Sequence, residues 1–280
     1  MTDYNLRQKK DYSDWLVVSD VDGTLNNKFR RLPQNNYQAI DRFVNTLKGN
    51  FTLASGRSVD SIEKHYLKLP LNNTPAIVLN GAGIYDFSNK KMLRFFGISD
   101  KGKEVVKKVL EKFPKLELEV CTPDHIYLVN PKLYGPILVK ADNLAHTFCT
   151  DLNEIFDLAW GKVVFFALPG LLKKVMQYIK SLGVDDFNFM SSSIVTQEML
   201  AAGVHKGKAV LALADLIGVD HKKTAAIGDY FNDYDMLKSV YLPAVCAQAP
   251  AAMHKIAKYH AVHCNKGAVA DFLNFIEKTY

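Results

Sequence analysis

Asp20 and Asp22 stand two residues apart just beyond the apolar run Trp15-Leu-Val-Val, and Gly23 and Thr24 follow at once. Both carboxylates can project from the same edge of one strand, and two anions so close repel unless a cation or a shared proton lies between them. The pair therefore implies a hard metal, an acid/base couple, or both. Asp and Gly are also ordinary turn formers, so the pair takes its meaning from partners elsewhere. Asp229 and Asp233, four residues apart with Asn232 beside them, meet if the residues between them open a helix. Carboxylate and amide oxygens converging with Asp20 would make an all-oxygen site of the kind Mg²⁺ takes. Lys206 heads a segment with Val210, Leu213, Ala214 and Ile217 on one helical face. A cation at a helix N-terminus opposes the macrodipole, so it needs an anion. Ser55-Gly56-Arg57 adds a hydroxyl, amides and a guanidinium, suited to a phosphate oxygen or a carboxylate.

These residues need a scaffold that gathers them. Residues 15–18, 51–54, 76–79 and 224–227 read as short buried strands, each ending in one of the polar groups or in the turn Asn80-Gly-Ala-Gly83. Open α/β sheets place their ligands at the carboxyl ends of such strands. Residues 242–247 and 259–262 read as further strands, and 269–276 as a closing helix. A helix is predicted over 33–48, with Tyr37, Ile40, Val44 and Leu47 on its buried face and Gly49 as its stop. A second spans 59–69, for which Ser55 would serve as N-cap.

From 85 to 196 the rhythm changes. Strand-like runs at 92–96, 116–120, 126–129 and 163–168 alternate with two amphipathic helices. One helix buries Val105, Val106, Val109, Leu110 and Phe113; the other buries Leu171, Leu172, Val175, Met176 and Ile179. The expected architecture is α/β: a Rossmann-like parallel sheet core, residues 1–84 plus 197–280, with an inserted α+β cap domain, residues 85–196.

The order of the polar stretches carries a resemblance. Asp20-Val-Asp-Gly-Thr-Leu25 resembles the first motif of the haloacid dehalogenase superfamily, and Ser55-Gly-Arg57 the second. Lys206 in His205-Lys-Gly-Lys208 resembles the third, and Gly228-Asp-Tyr-Phe-Asn-Asp233 the fourth. With the Asn80-Gly-Ala turn and the large insertion between the second and third motifs, the chain resembles the capped Cof-type (type IIB) sugar phosphatases. Sucrose-phosphate phosphatase and phosphomannomutase are relatives of that branch. The resemblance implies a Mg²⁺-dependent phosphoric monoester hydrolase acting through an aspartyl phosphate on a small phosphorylated metabolite, a sugar phosphate foremost. Flavin mononucleotide and pyridoxal phosphate are alternative substrates.

It also implies roles. Asp20 would be the nucleophile and Asp22 the acid and then the base. Mg²⁺ would be held by Asp20, the Asp22 backbone carbonyl and Asp229, with Asp233 in support. Ser55 with Gly56 and Arg57, together with Lys206 and Asn232, would bind the phosphate, and Asn80 would make a polar contact at the site mouth. An acid two residues after the nucleophile marks the phosphatases and phosphomutases of the superfamily. Ser55-Gly-Arg57 argues against a phosphomutase, and the filled catalytic positions argue against a non-catalytic binding protein. Among cap residues, Asp124, His125, Tyr127 and the serines at 191–193 are candidates for selecting the leaving group. One departure is visible: Ala247-Gln-Ala-Pro250 stands where the branch has an Asn-Ala turn.

Composition narrows the rest. The 280 residues are 48% hydrophobic, ample for a packed core, and the net charge of +6 is scattered without aromatic alternation, which argues against a nucleic-acid partner. The lysine-rich stretch 101–112 reads as the wet face of a helix. Four cysteines without Cys-x-x-Cys spacing read as buried free thiols in a reducing compartment. The stretch 1–14 is polar, which excludes a secretory signal, and no run approaches the roughly 18 apolar residues of a membrane span. The expected setting is the cytoplasm, with a small-molecule substrate and no membrane partner. Asp235 reads as a cap or surface residue.

Overall fold

The computed structural model describes residues 10–141 and 143–280, with the side chains of Leu138, Ala141 and Ser192 left aside. Most of the polar N-terminal stretch and the middle serine of the 191–193 run therefore lie outside the described residues. Leu16–Ser19 lies in a five-stranded parallel sheet, between Asn50–Leu53 at one end and Thr224–Gly228 at its middle. Leu242–Cys246 and Tyr259–Ala261 extend the sheet on the Thr224–Gly228 side. Leu16, Val17 and Val18 are wholly buried, because helices cover both faces and a parallel strand then has no wet side. Side chains alternate between the two cores. Val17, Phe51, Leu53 and Ile227 pack against Ile40, Phe43 and Phe272, while Leu16, Val18 and Ala226 pack against Val210, Leu213 and Met236. Each such Val, Leu, Ile, Phe or Met side chain taken from water contributes about 1.5–3 kcal/mol.

The first helix departs from expectation. Gln34–Asp41 is α-helical and Arg42–Thr46 continues it as a π-helical turn, closed by the Gly49 N–H donating to the Phe43 carbonyl at 2.9 Å. Tyr37, predicted on the buried face, is exposed; Ile40, Phe43 and Val44 carry that face instead. The second helix runs Val59–Tyr66 with Ser58, not Ser55, at its N-cap position.

The strand predicted at 92–96 forms as Lys91–Phe95, but it pairs with Gly83–Asp86, which pairs in turn with Ala76–Val78. A bridge between Ala54 and Ile77 ties this antiparallel group to the parallel sheet. A separate six-stranded sheet follows, in the order Phe187–Ser193, Thr196–Ala201, Lys162–Phe166, Glu117–Cys121, Ile126–Val129, Thr147–Cys149. The helices Asp100–Lys112 and Pro169–Ser181 bury Val105, Val106, Val109, Leu172, Val175 and Ile179 against it. The strand Thr196–Ala201 lies wholly in this sheet, so the change back to the parallel sheet comes after Ala201 rather than at 197. The architecture is thus α/β, with a parallel core and a second sheet covered by its own helices. Among the described residues no helix is long and apolar enough to cross a membrane, and all four cysteines are free and buried.

Candidate active site

Three neighbouring strands of the parallel sheet end together. Asp20 follows Leu16–Ser19, Ser55 follows Asn50–Leu53, and Asp229 follows Thr224–Gly228, so parallel pairing alone brings these polar groups to one edge. A cavity of about 400 Å³ opens there. Every residue singled out from the motifs lines it except Lys206 and Asp233, which lie buried behind Asp20.

Lys206 is the first residue of the helix Lys206–Ile217 and has no exposed surface. Its ammonium lies 2.6 Å from Asp20 Oδ1 and 2.7 Å from Asp233 Oδ1. The anion demanded by a lysine at a helix N-terminus is therefore supplied by two carboxylates of the protein itself. Burial pushes this lysine down, but Asp20 and Asp233 outweigh it and hold its pKa above the ordinary value. The second oxygen of Asp233 accepts the backbone N–H groups of Asp229, at 3.0 Å, and Tyr230, at 3.4 Å. Asp233 thereby shapes the turn that presents Asp229.

Carboxylate oxygens of Asp20, Asp229 and Asp233 lie within 4.8 Å of one another. Burial and the charge of Asp233 push Asp20 well above the usual carboxylate range, and the same two causes push Asp229 up to about 6. Three carboxylates against the single ammonium of Lys206 leave an excess of negative charge. The donors are hard oxygens, and the cluster is short of positive charge, so these residues fit a divalent cation such as Mg²⁺. Gly23, at φ 84°, is required here: a Cβ would overlap the Asp229 carboxylate.

Asp22 points elsewhere. Its two oxygens take a fork from Arg57, Nε at 2.8 Å and Nη2 at 3.0 Å. Burial works to raise its pKa, yet the hydrogen bonds and charge of Arg57 prevail and hold it below the usual carboxylate range. Asn80 sits at φ 54° after Leu79 at φ 52°, two left-handed residues in succession, a conformation costly for leucine. Its amide Nδ2 donates to Glu198 at 2.8 Å, and its Oδ1 has no hydrogen-bond partner among the described residues.

Three residues at the site were not singled out from the sequence. Glu198 and Lys162 come from neighbouring strands of the second sheet and form a buried ion pair at 3.2 Å. Lys162 also donates to the Gly56 carbonyl at 2.8 Å, so this pair fastens the second sheet to the Ser55-Gly56-Arg57 loop and to Asn80. The only hint in the sequence is a charge at the head of the apolar run Val163-Val-Phe-Phe166 and another just before Met199-Leu-Ala201, and the pairing that joins them is not written there. Gln248 is the third, and it occupies the departing Ala247-Gln-Ala-Pro250 turn. Its amide donates to the Gly23 carbonyl at 2.6 Å and lies 3.5 Å from Asp229 Oδ2, while its oxygen accepts the Cys264 N–H at 3.1 Å. His125 is not brought to the site: its Nε2 lies 3.0 Å from Thr147 Oγ1, and neither it, Asp124 nor Tyr127 lines the cavity. Asp235 is exposed in the first turn of Tyr234–Ser239.

Residues 17–273 match the haloacid dehalogenase-like hydrolases. The chain belongs to that family. A protein of Streptococcus pyogenes serotype M6, provisionally named a phosphatase, is 27% identical over 270 residues, which is 91% of this chain and 95% of that protein. The Bacillus subtilis 5-amino-6-(5-phospho-D-ribitylamino)uracil phosphatase YwtE is 26% identical over 282 residues, 88% of each chain. The crystal structure of a haloacid dehalogenase-like hydrolase from Bacteroides thetaiotaomicron superposes with a TM-score of 0.84 at 22% identity, covering 95% of this chain and 100% of that one. The resemblance drawn from the four motifs, to a capped haloacid dehalogenase-like phosphatase of the Cof type, therefore holds across nearly the whole chain.

Proposed function

We propose that the chain is a Mg²⁺-dependent cytoplasmic phosphatase that hydrolyses a small phosphorylated metabolite, a sugar phosphate foremost, through an aspartyl phosphate on Asp20. The observation that carries this is the convergence of Asp20, Asp229 and Asp233 around Lys206 at the floor of an open polar cavity. A purely structural ion cluster would have no need to sit where three strand ends and a cavity meet.

In this proposal Asp20 attacks phosphorus. Its bond to phosphorus forms as the bond to the leaving oxygen breaks, and Asp22 gives that oxygen a proton. Asp22, now ionised, takes a proton from water as the water attacks phosphorus and frees Asp20 and inorganic phosphate. The Arg57 fork holds Asp22 in its ionised form, the state suited to the second step. For the first step Asp22 must leave Arg57 and carry a proton, so Arg57 is a positioning residue as well as a ligand for a substrate anion. Lys206 offsets the charge of Asp20 before the phosphate arrives, and Ser55, Gly56 and Asn232 offer donors to the phosphate oxygens. Asp20, Asp229 and the Asp22 carbonyl would hold Mg²⁺, with Asp233 in support, and the ion would lessen repulsion between nucleophile and phosphate. The cap in this scheme is the segment of the six-stranded sheet, 96–201.

Phosphate release from a panel of phosphorylated metabolites, with Mg²⁺ and with chelator, tests the proposal. Metal-dependent release that vanishes in Asp20→Asn is the expected result; release unaffected by that substitution would overturn it.

A further inference from the structure

Gln248 stands in the one stretch that departs from the capped branch, Ala247-Gln-Ala-Pro250. It follows the strand Leu242–Cys246 by two residues, and its amide reaches across the ends of the neighbouring strands. On one side its oxygen accepts the N–H of Cys264, just beyond Tyr259–Ala261, at 3.1 Å. On the other its nitrogen lies 3.5 Å from Asp229 Oδ2, past the end of Thr224–Gly228. The same nitrogen donates at 2.6 Å to the carbonyl of Gly23, past the end of Leu16–Ser19. One side chain therefore joins the ends of four adjacent strands. Gln248 is exposed and does not line the catalytic cavity. An exposed glutamine gives up rotamer freedom to be held this way, so the contacts must outweigh that loss.

Two of these contacts bear on the carboxylate cluster. Gly23 is at φ 84°, a residue whose backbone swings freely unless anchored. Its carbonyl lies one peptide beyond the Asp22 carbonyl proposed to hold Mg²⁺. The Asp229 oxygen that Gln248 approaches also lies against the Gly23 backbone, where a Cβ would come within 2.4 Å of it. Asp20 and Asp233 share the ammonium of Lys206, whereas Asp229 is approached by two neutral donors, Gln248 and the Thr24 hydroxyl, the latter 3.4 Å from Oδ1. Neutral donors at that distance fix the direction of a carboxylate and leave its charge for a cation. We infer that Gln248 is a positioning residue for the divalent-cation site, holding the Gly23 carbonyl and the Asp229 carboxylate in the arrangement that receives Mg²⁺. The inference rests on the Mg²⁺ site of the proposed phosphatase and deepens it.

Mg²⁺ binding to the full chain, measured by titration calorimetry without substrate, is the test. Gln248→Ala should weaken binding roughly tenfold or more, the size of effect that removing a hydrogen-bond partner of a metal ligand reaches. Gln248→Met fills the same space without an amide and should weaken binding as much; it also keeps the test open should Gln248→Ala fail to fold. The accompanying deficit in phosphate release should shrink as Mg²⁺ is raised, because the variants bind the ion less tightly. Wild-type affinity in both variants, or in Gln248→Met alone, would overturn the inference. So would a deficit that is the same at every Mg²⁺ concentration. No phosphate release from any ester by the wild type, with the difference in Mg²⁺ binding intact, would sink the phosphatase proposal and leave the role of Gln248 standing.

Discussion

The two buried lysines that meet this site are held in different ways. Lys206 belongs to the parallel core, where a helix start and two strand ends fix its partners Asp20 and Asp233. Lys162 belongs to the second sheet, where its partner Glu198 arrives through antiparallel pairing of strands far apart in sequence. Both carry a pKa raised above the ordinary value because carboxylate charge outweighs the cost of burial. The first lies against Asp20, the proposed nucleophile, and Asp233; the second fastens the second sheet to the Ser55-Gly56-Arg57 loop through the Gly56 carbonyl. Similar electrostatics thus serves the candidate site in one place and the joining of two sheets in the other.

Substitutions should separate the two. The largest effect is expected at the proposed nucleophile: Asp20→Asn should lower phosphate release by roughly three orders of magnitude or more, measured in single turnover. Lys206→Met should cost about 3–5 kcal/mol of stability in urea unfolding, since two buried carboxylates lose their cation. Lys162→Met should fall toward the same range, because Glu198 is left buried and unpaired. The double change Lys162→Met with Glu198→Leu should recover most of that stability while still loosening cap closure, which would show as a raised KM. No double change at Lys206 and Asp20 can recover activity. If the cap pair also abolishes chemistry when removed, the contrast between the two lysines is broken.

Asp229 gives a pH-dependent test. Its folded pKa, near 6, stands above the roughly 3.9 of an unfolded aspartate, so it binds a proton more tightly in the native state. That stability is full below about pH 4 and is lost as pH rises through 6. In chelator, Asp229→Asn should therefore be the more stable protein at pH 7.5, by at most about 3 kcal/mol, and the gap should close by pH 4. Added Mg²⁺ should stabilise the wild type and not the variant. The smallest effect concerns Asp22, whose depressed pKa works in the opposite direction. The Arg57 pair stabilises above the unfolded carboxylate pKa and is lost as pH falls through the lowered folded value. Because the Asp22 side chain is 45% exposed and water screens the pair, Arg57→Ala should cost no more than about 1 kcal/mol at pH 7, and the cost should vanish in acid.

Much of the site could be read from the chain because strand ends are local features. Asp20, Ser55 and Asp229 each follow a short buried run, and parallel strands deliver their ends to one edge whatever the details of the loops. The partners of each charge could not be read that way. Lys206 pairs with carboxylates, and Asp22 is taken by Arg57, because side-chain geometry in space, not spacing in the chain, sets which charges meet. Tyr37 shows the same limit on a smaller scale. It lies in the α-helical part, Gln34–Asp41, ahead of the π-helical turn, and only the packing around Ile40, Phe43 and Val44 decides which side of that helix is covered.

What the sequence determined by itself is the α/β class and the strand ends that carry the polar groups, since hydrophobic periodicity and turn chemistry act over a few residues; the resemblance of four motifs in order gave the family. Only the tertiary structure decided that Lys91–Phe95 joins the core-side sheet and that Thr196–Ala201 stays in the cap sheet. It alone brought Lys162, Glu198 and Gln248 to the site. The hydrogen bonds from Lys162 to Gly56 and from Asn80 to Glu198 join residues more than a hundred positions apart, and no local pattern specifies which of several chemically equivalent partners the folded chain selects.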